Sequence, residues 1–579
     1  MGHQFSRAQS PAGAAFGYAV VAVVLSACSS SSSDDAPSRV QNEQLEEDAF
    51  TRPITGTVTR YDYAVDLATG NVRDRLTVRA DPPGGSCFSA SCDVPATDVT
   101  WQGAPAQSSS QSDGTLRVCG RSRALPWQTL HVASSSVVPE ERFLGLDVGF
   151  SRKKDLAGGT FTYLLSWVGG CSHFGPCDAD PSRLASFHFD VEHAPGDVVL
   201  CPGKIVQGEQ RTRCELSPWS TGSLAPTYSS VAVASDPLWK RTPFLKAAGV
   251  DFVFYEVPNL PGGNIAPVLD KGSVTEFFEW ITDLLGPFPY GDELRVAAAP
   301  TVWSGFEHPA NIILSEKLPT RTGPFANTVM HVLMHEIAHQ WAGDRATLAA
   351  VGDFVWKEST AEYLAYVFED EHRDAAEGPA TRAYWDRISL NAKFHPRPLE
   401  NPTPPVQTFY GDVYGPGPMV LYLQLESLIG REAVVRGIQS FLARPAARSV
   451  EDLRRALERS AHVDLAKYFD AWVFGSGKPE WPTFTATTSQ SGRDVTVTVT
   501  QQAAKVHPCV VEVEVASATG KVLVPVTFGL DASSNTATAH ATLEGDITGT
   551  VIDPNHRVID AKPAPAAFSA GPDEEVLIF

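Results

Sequence analysis

The chain has 579 residues, 43% of them hydrophobic and 20% charged, with a formal net charge of -21. That composition is globular and excludes a fibrous or disordered chain, and the length is too great for one core, so two to four domains are expected. So negative a chain repels nucleic acid and anionic lipid, which excludes nucleic acid as a main partner.

Residues 1–27 read as an export signal. "MGHQFSRAQS" carries Arg7 and no acid, and the apolar run "AAFGYAVVAVVLSAC" that follows is too short to span a bilayer comfortably. Its end, "LSAC", resembles a bacterial lipoprotein signal. The resemblance implies cleavage between Ala27 and Cys28, lipid on Cys28, and attachment to the bacterial cell envelope. Ser29, in place of an acid, favours the outer membrane by the same resemblance. The alternative is a plain secretory peptide. The serine-rich stretch within 28–49 would be a flexible tether. Eight further cysteines would meet an oxidising compartment, so up to four disulfides are expected. Cys87/Cys92, Cys171/Cys177 and Cys201/Cys214 are close in sequence, but spacing leaves connectivity open.

Residues 50–234 alternate apolar and polar positions between turn signals, as in "TGTVTRYDYAVDLATGNVRDRLTVRA" and "ASFHFDVEHAPGDVVLC". This predicts an N-terminal β-sandwich. From 235 to 480 the period becomes helical. "GSVTEFFEWITDLLG", "NTVMHVLMHEIAHQWAG", "STAEYLAYVFEDEH", "GPMVLYLQLESLIG" and three later segments read as helices, with one strand-like piece, "ELRVAAAP". Alternation returns in "WPTFTATTSQSGRDVTVTVTQQ" and continues, predicting a small C-terminal β-sandwich over 481–579. The fold class expected is multidomain α+β, with a mainly helical central domain.

That central domain contains His335, Glu336 and His339 in an H-E-x-x-H pattern. Four residues make about one helical turn, so both imidazoles can face one ion while Glu336 reaches a water beside it. Two histidines leave a tetrahedral zinc one protein ligand short, with one position open. Ala342 and Arg345 stand where a metzincin would need Gly and His, so that class fails, and a carboxylate on a following helix is the other solution. Glu358 heads such a segment, nineteen residues after His339. The bland alternative is a metal-free, salt-bridged helix pair.

"HEIAHQW" and "WKESTAEY" resemble the zinc signature of the aminopeptidase N family of gluzincin peptidases, including the interval to the glutamate. "SGFEHPANIIL" is similar to that family's G-x-M-E-N exopeptidase segment, "FGPCDADPSRLASFHFDV" to its PC-containing signature, and "VYGPGPMVLYLQLESLIG" to its catalytic-tyrosine segment. The resemblance implies a thermolysin-like catalytic domain holding one zinc ion on His335, His339 and Glu358. It implies Glu336 as general base, Tyr414 (in competition with Tyr410) as the hydroxyl facing the oxyanion, and Glu307 as the carboxylate for a substrate's free N-terminus. Peptides with a free N-terminus are then the expected substrates. The sequence departs from the pattern at Phe306, His308, Pro416 and Lys357, the last standing where asparagine is common. The stretch "YLLSWVGGCSHFG" lacks the acid or amide usual before the PC signature. Glu362 is expected to support the site or the fold, and Asp353 to orient a histidine or cap a helix. Besides an aminopeptidase, two readings stay open: an endopeptidase or dipeptide-releasing enzyme, and a non-catalytic surface-binding lipoprotein.

Overall fold

The computed structural model describes residues 53–82, 84–140, 149–321, 323–400 and 413–560. Cys28, its leader, its tether and Tyr410 lie outside the described residues. The alternating segments at the start form a nine-stranded sheet. In it Gly56–Asp66 pairs antiparallel with Asn71–Ala80 and parallel with Leu184–Glu192. Past a bulge between Val58 and Arg60, every second residue of Gly56–Asp66 turns inward, and Tyr61 and Tyr63 stack on Phe187 and Phe189 at 5.1 and 5.5 Å between centroids. A second sheet of four strands runs from Val198–Leu200 to Gly149–Lys154.

Three disulfides staple this region: Cys87–Cys119, Cys171–Cys177 and Cys201–Cys214. Cys92 and Cys509 are free and buried. The close pair Cys87/Cys92 does not form. Cys87 opens the strand Cys87–Ser91, and extended chain carries Cys92 roughly 16 Å away, whereas Cys119 is its cross-strand partner.

The central block contains a five-stranded sheet where the sequence suggested a single strand. In chain order its strands are β1 (Lys240–Ala247), β2 (Val250–Glu256), β3 (Glu293–Ala299), β4 (Gly305–His308) and β5 (Asn311–Ser315). They lie in the order β1-β2-β3-β5-β4. β3, β4 and β5 are buried on both faces, which removes the polar alternation that makes strands visible in sequence. Four helices matter to the site: α1 (Lys271–Leu285), α2 (Thr328–His339), α3 (Phe354–His372) and α4 (Glu377–Ser389). α2 packs between strand β4 and helix α3, and α4 packs on α3.

The last segment forms two three-stranded sheets, centred on Asp494–Gln502 and Cys509–Ser517. Val495, Val497 and Val499 of one, and Val511, Val513 and Val515 of the other, are wholly buried. Trp472 Nε1 donates to Pro508 O (2.9 Å), and Arg557 pairs with Glu426 (2.9 Å). The fold is multidomain α+β, β-rich at its start and helical in the middle. Among the described residues no helix is long and apolar enough to cross a membrane.

Candidate metal centre and active site

Helix α2 begins where Asn327 accepts from the Met330 amide (3.2 Å), and its residues are buried on every side. A helix so enclosed can carry polar residues only if each finds a partner. His331, His335 and His339 recur at four-residue spacing and form one stripe. Glu358, Glu362 and Glu369 form the facing stripe on α3. His335 Nδ1–H donates to Glu362 Oε2 (2.7 Å), and His339 Nδ1–H donates to the Ala342 carbonyl (2.9 Å). Protons held at Nδ1 leave both Nε2 atoms as lone-pair acceptors.

Those two Nε2 atoms stand 2.9 Å apart, and Glu358 Oε2 lies 3.4 Å from His335 Nε2 and 3.3 Å from His339 Nε2. Three donor atoms thus converge in a buried space, where either a bound metal cation or a proton on His335 Nε2 reconciles them; burial opposes a charged His335, but Glu358 and Glu362 raise it to about 9. Ligand atoms of a tetrahedral metal with bonds near 2.0 Å are about 3.3 Å apart. The donor set therefore fits a metal ion such as zinc, and the sequence-predicted residues His335, His339 and Glu358 come together. Burial opposes ionisation of Glu358, but Lys357 and the two histidines outweigh it and hold the carboxyl well below its ordinary value.

Glu362 anchors more than one group. Besides His335 it accepts from His331 Nε2 (2.8 Å) and Trp385 Nε1 (2.6 Å). His331 Nδ1 is held by Glu369 Oε1 (2.6 Å), whose other oxygen accepts from Thr381 of α4 (2.7 Å). Burial works against a charged His331, yet the two glutamates raise it to about 10. His331 was not singled out from sequence. Its place one turn before His335 was the available signal. Asp353 instead accepts from Arg397 Nε (3.0 Å) and the Val450 amide (3.1 Å). It stands at the N-cap position of α3 without a side-chain cap bond there, and the amide it accepts from is the first of helix Val450–Ala461, so it serves helix ends and does not orient a zinc histidine.

Glu336 is buried on α2 against strand β4. A Cβ on Gly305 would stand 2.2 Å from Glu336 Oε1, so only glycine admits the carboxyl there. Burial, aided by the negative Glu307 and Glu358, raises this carboxyl well above its usual range. Such a group is suited to taking and returning a proton. Gln340, just past α2, fixes the neighbouring turn. Its Oε1 accepts from Ala310 N (2.9 Å) and its Nε2 donates to His308 O (3.1 Å). His308 Nδ1–H donates to Ser229 O (2.8 Å), and burial pushes the ring down to about 4, so it is neutral.

Glu307 lies on β4, 4% exposed, with its carboxyl in a group with Glu336 and His339 whose ligand atoms are all within 4.8 Å of one another. It is ion-paired: Lys357 Nζ is 2.8 Å from Glu307 Oε1 and 2.7 Å from Glu358 Oε1. Burial would raise Glu307, but Lys357 and His339 outweigh it and lower it. Tyr414 is buried, its ring edge-on to Trp385 at 4.9 Å, and so adjoins the Glu362 network. In the stretch that lacks the expected acid or amide, Trp167 packs on Phe354 at the start of α3 (5.3 Å).

Residues 286–472 match the model of the Peptidase family M1 domain. Aminopeptidase N of Streptomyces lividans is 29% identical over 160 residues, covering 25% of this chain and 18% of the relative. Human aminopeptidase N is 22% identical over 300 residues, covering 46% of this chain and 29% of the relative. Residues 286–472 thus carry a Peptidase family M1 domain. The chain's matched part spans less than a third of either relative's length. The crystal structure of Legionella pneumophila aminopeptidase A in complex with aspartic acid superposes with a TM-score of 0.69. It covers 87% of this chain and 59% of that one at 13% identity, which shows that the two share a fold beyond the matched domain.

Proposed function

We propose that this chain is a zinc metallopeptidase that removes residues from the amino end of peptides. The observation that carries the reading is the convergence of His335 Nε2, His339 Nε2 and Glu358 Oε2, with both histidine Nδ1 protons already committed elsewhere. Zinc bound to these atoms would polarise the scissile carbonyl and acidify water beside it.

The chain's own residues supply the rest. Glu336 takes a proton from the attacking water as the O–C bond forms. It returns that proton to the leaving nitrogen as the C–N bond breaks. The hydroxyl of Tyr414 donates to the carbonyl oxygen as that oxygen gains charge. Glu362 and the Ala342 carbonyl keep the two histidines in the tautomer that presents Nε2. The buried surroundings strengthen each of these interactions.

The direct test is to load the purified protein with zinc and incubate it with mixed-sequence peptides. Mass spectrometry should then show a ladder that shortens from the amino end, lost with a chelator and restored by zinc. Fragments cut only at internal bonds would move the reading to an endopeptidase. No cleavage of any peptide would refute a peptidase and favour the surface-binding reading.

A further inference from the structure

A peptidase that recognises a free amino end must place its counter-ion close to the reacting carbonyl. Standard bond lengths put the amino nitrogen of a first residue only about 2.5 Å from its own carbonyl carbon. Glu307 is the acid of this chain at the right place, sharing a cluster with Glu336 and His339. Its charge is already answered from within the protein by Lys357. Lys357 is 2% exposed and bridges Glu307 to the metal-ligand candidate Glu358. Its stem lies over Gly343, where a Cβ would come 2.9 Å from Lys357 Cε, so the side chain is held along its length. An incoming α-ammonium would have to displace this internal cation or sit beside a like charge, and both are costly in a buried site.

From this geometry we infer that Lys357 is a specificity-determining residue: it competes with the substrate's α-ammonium for Glu307. The site therefore accepts peptides with an uncharged amino end, such as N-acyl peptides, about as readily as those with a free amine. This rests on the peptidase reading above and narrows its substrate class. It also departs from the sequence expectation of substrates with a free N-terminus.

The test compares kcat/KM for an alanyl arylamide and for its N-acetyl counterpart, in the zinc-loaded full chain and in Lys357→Asn and Lys357→Arg. The unmutated protein should show a preference for the free amine of no more than about ten-fold. Lys357→Asn should shift the ratio toward the free amine by about ten-fold or more, through a lower KM, while Lys357→Arg keeps the original ratio. Calorimetric binding of alanine amide and N-acetylalanine amide to the zinc-free proteins should show the same shift. A preference for the free amine of about a thousand-fold in the unmutated protein would overturn the inference and leave the peptidase standing. So would a Lys357→Asn protein with normal zinc content and an unchanged ratio. If that variant does not fold, the ratio in the unmutated protein decides. Hydrolysis of neither arylamide together with no cleavage of mixed-sequence peptides would refute the peptidase reading, and this inference with it.

Discussion

Glu362→Gln should weaken zinc binding without touching a ligand. The carboxylate is wholly buried and accepts three N–H donors, His331 and Trp385 on Oε1 and His335 on Oε2. An amide offers one accepting oxygen and one donating NH2. With the oxygen toward His331 and Trp385, only the contact with His335 is lost; the opposite orientation loses two. The NH2 then confronts His335 Nδ1–H, and the ring must either leave a buried donor unpaired or move its proton to Nε2, the atom meant for the metal. One buried unpaired donor costs about 1–3 kcal/mol, and comparable changes behind metal ligands weaken metal affinity by about 10–100-fold. The two figures agree, since a factor of ten is about 1.4 kcal/mol. Zinc affinity should be measured by competition with a chromogenic chelator at neutral pH. An affinity within about two-fold of the unmutated protein, well below that range, would refute the assignment of Glu362 as the group that sets His335's tautomer.

Glu336→Gln should retain its zinc and lose at least about 10²-fold in kcat, because only proton transfer is removed; metal analysis and arylamide kinetics check it, and loss of the zinc would contradict the role. Tyr414→Phe should lower kcat by about 10²–10³-fold with little change in KM, as expected for a hydrogen bond made mainly in the transition state; an unchanged kcat would leave Tyr410 as the candidate. His507 packs on Trp472 at 4.6 Å, and burial pushes it from 6.5 down to about 4. Between those values the unfolded chain binds the proton and the folded chain does not, so its contribution is full above pH 6.5 and is lost as pH falls toward 4. Over that window the loss is at most about 3 kcal/mol. His507→Gln should flatten the fall in Tm between pH 6.5 and 4; an unaltered slope would show that His507 is not the group responsible.

The part of the site legible in sequence was the part set by local geometry. His335 and His339 lie one helical turn apart, so their spacing alone implies a shared face. Glu358 was a candidate because two histidines leave the ion a ligand short and the next helical segment opens on it, and the family resemblance supported it; its approach depends on how α3 folds back on α2. The His331–Glu369–Thr381 chain and the Lys357–Glu307 pair depend on packing between three helices and a strand. No periodicity encodes such contacts. The same holds for the fold: the half-exposed strands announced themselves by alternation, while strands such as β5, buried on both faces, did not. Cys119 became the partner of Cys87 through strand register, which closeness in sequence does not report.

The measurement closest to the central claim is anomalous scattering at the zinc absorption edge from crystals of the zinc-loaded protein. A single strong peak about 2.0–2.2 Å from His335 Nε2, His339 Nε2 and a Glu358 oxygen is the predicted result. A site without such a peak, or a metal bound by Glu307 and Glu336 in place of His335 and Glu358, would contradict it.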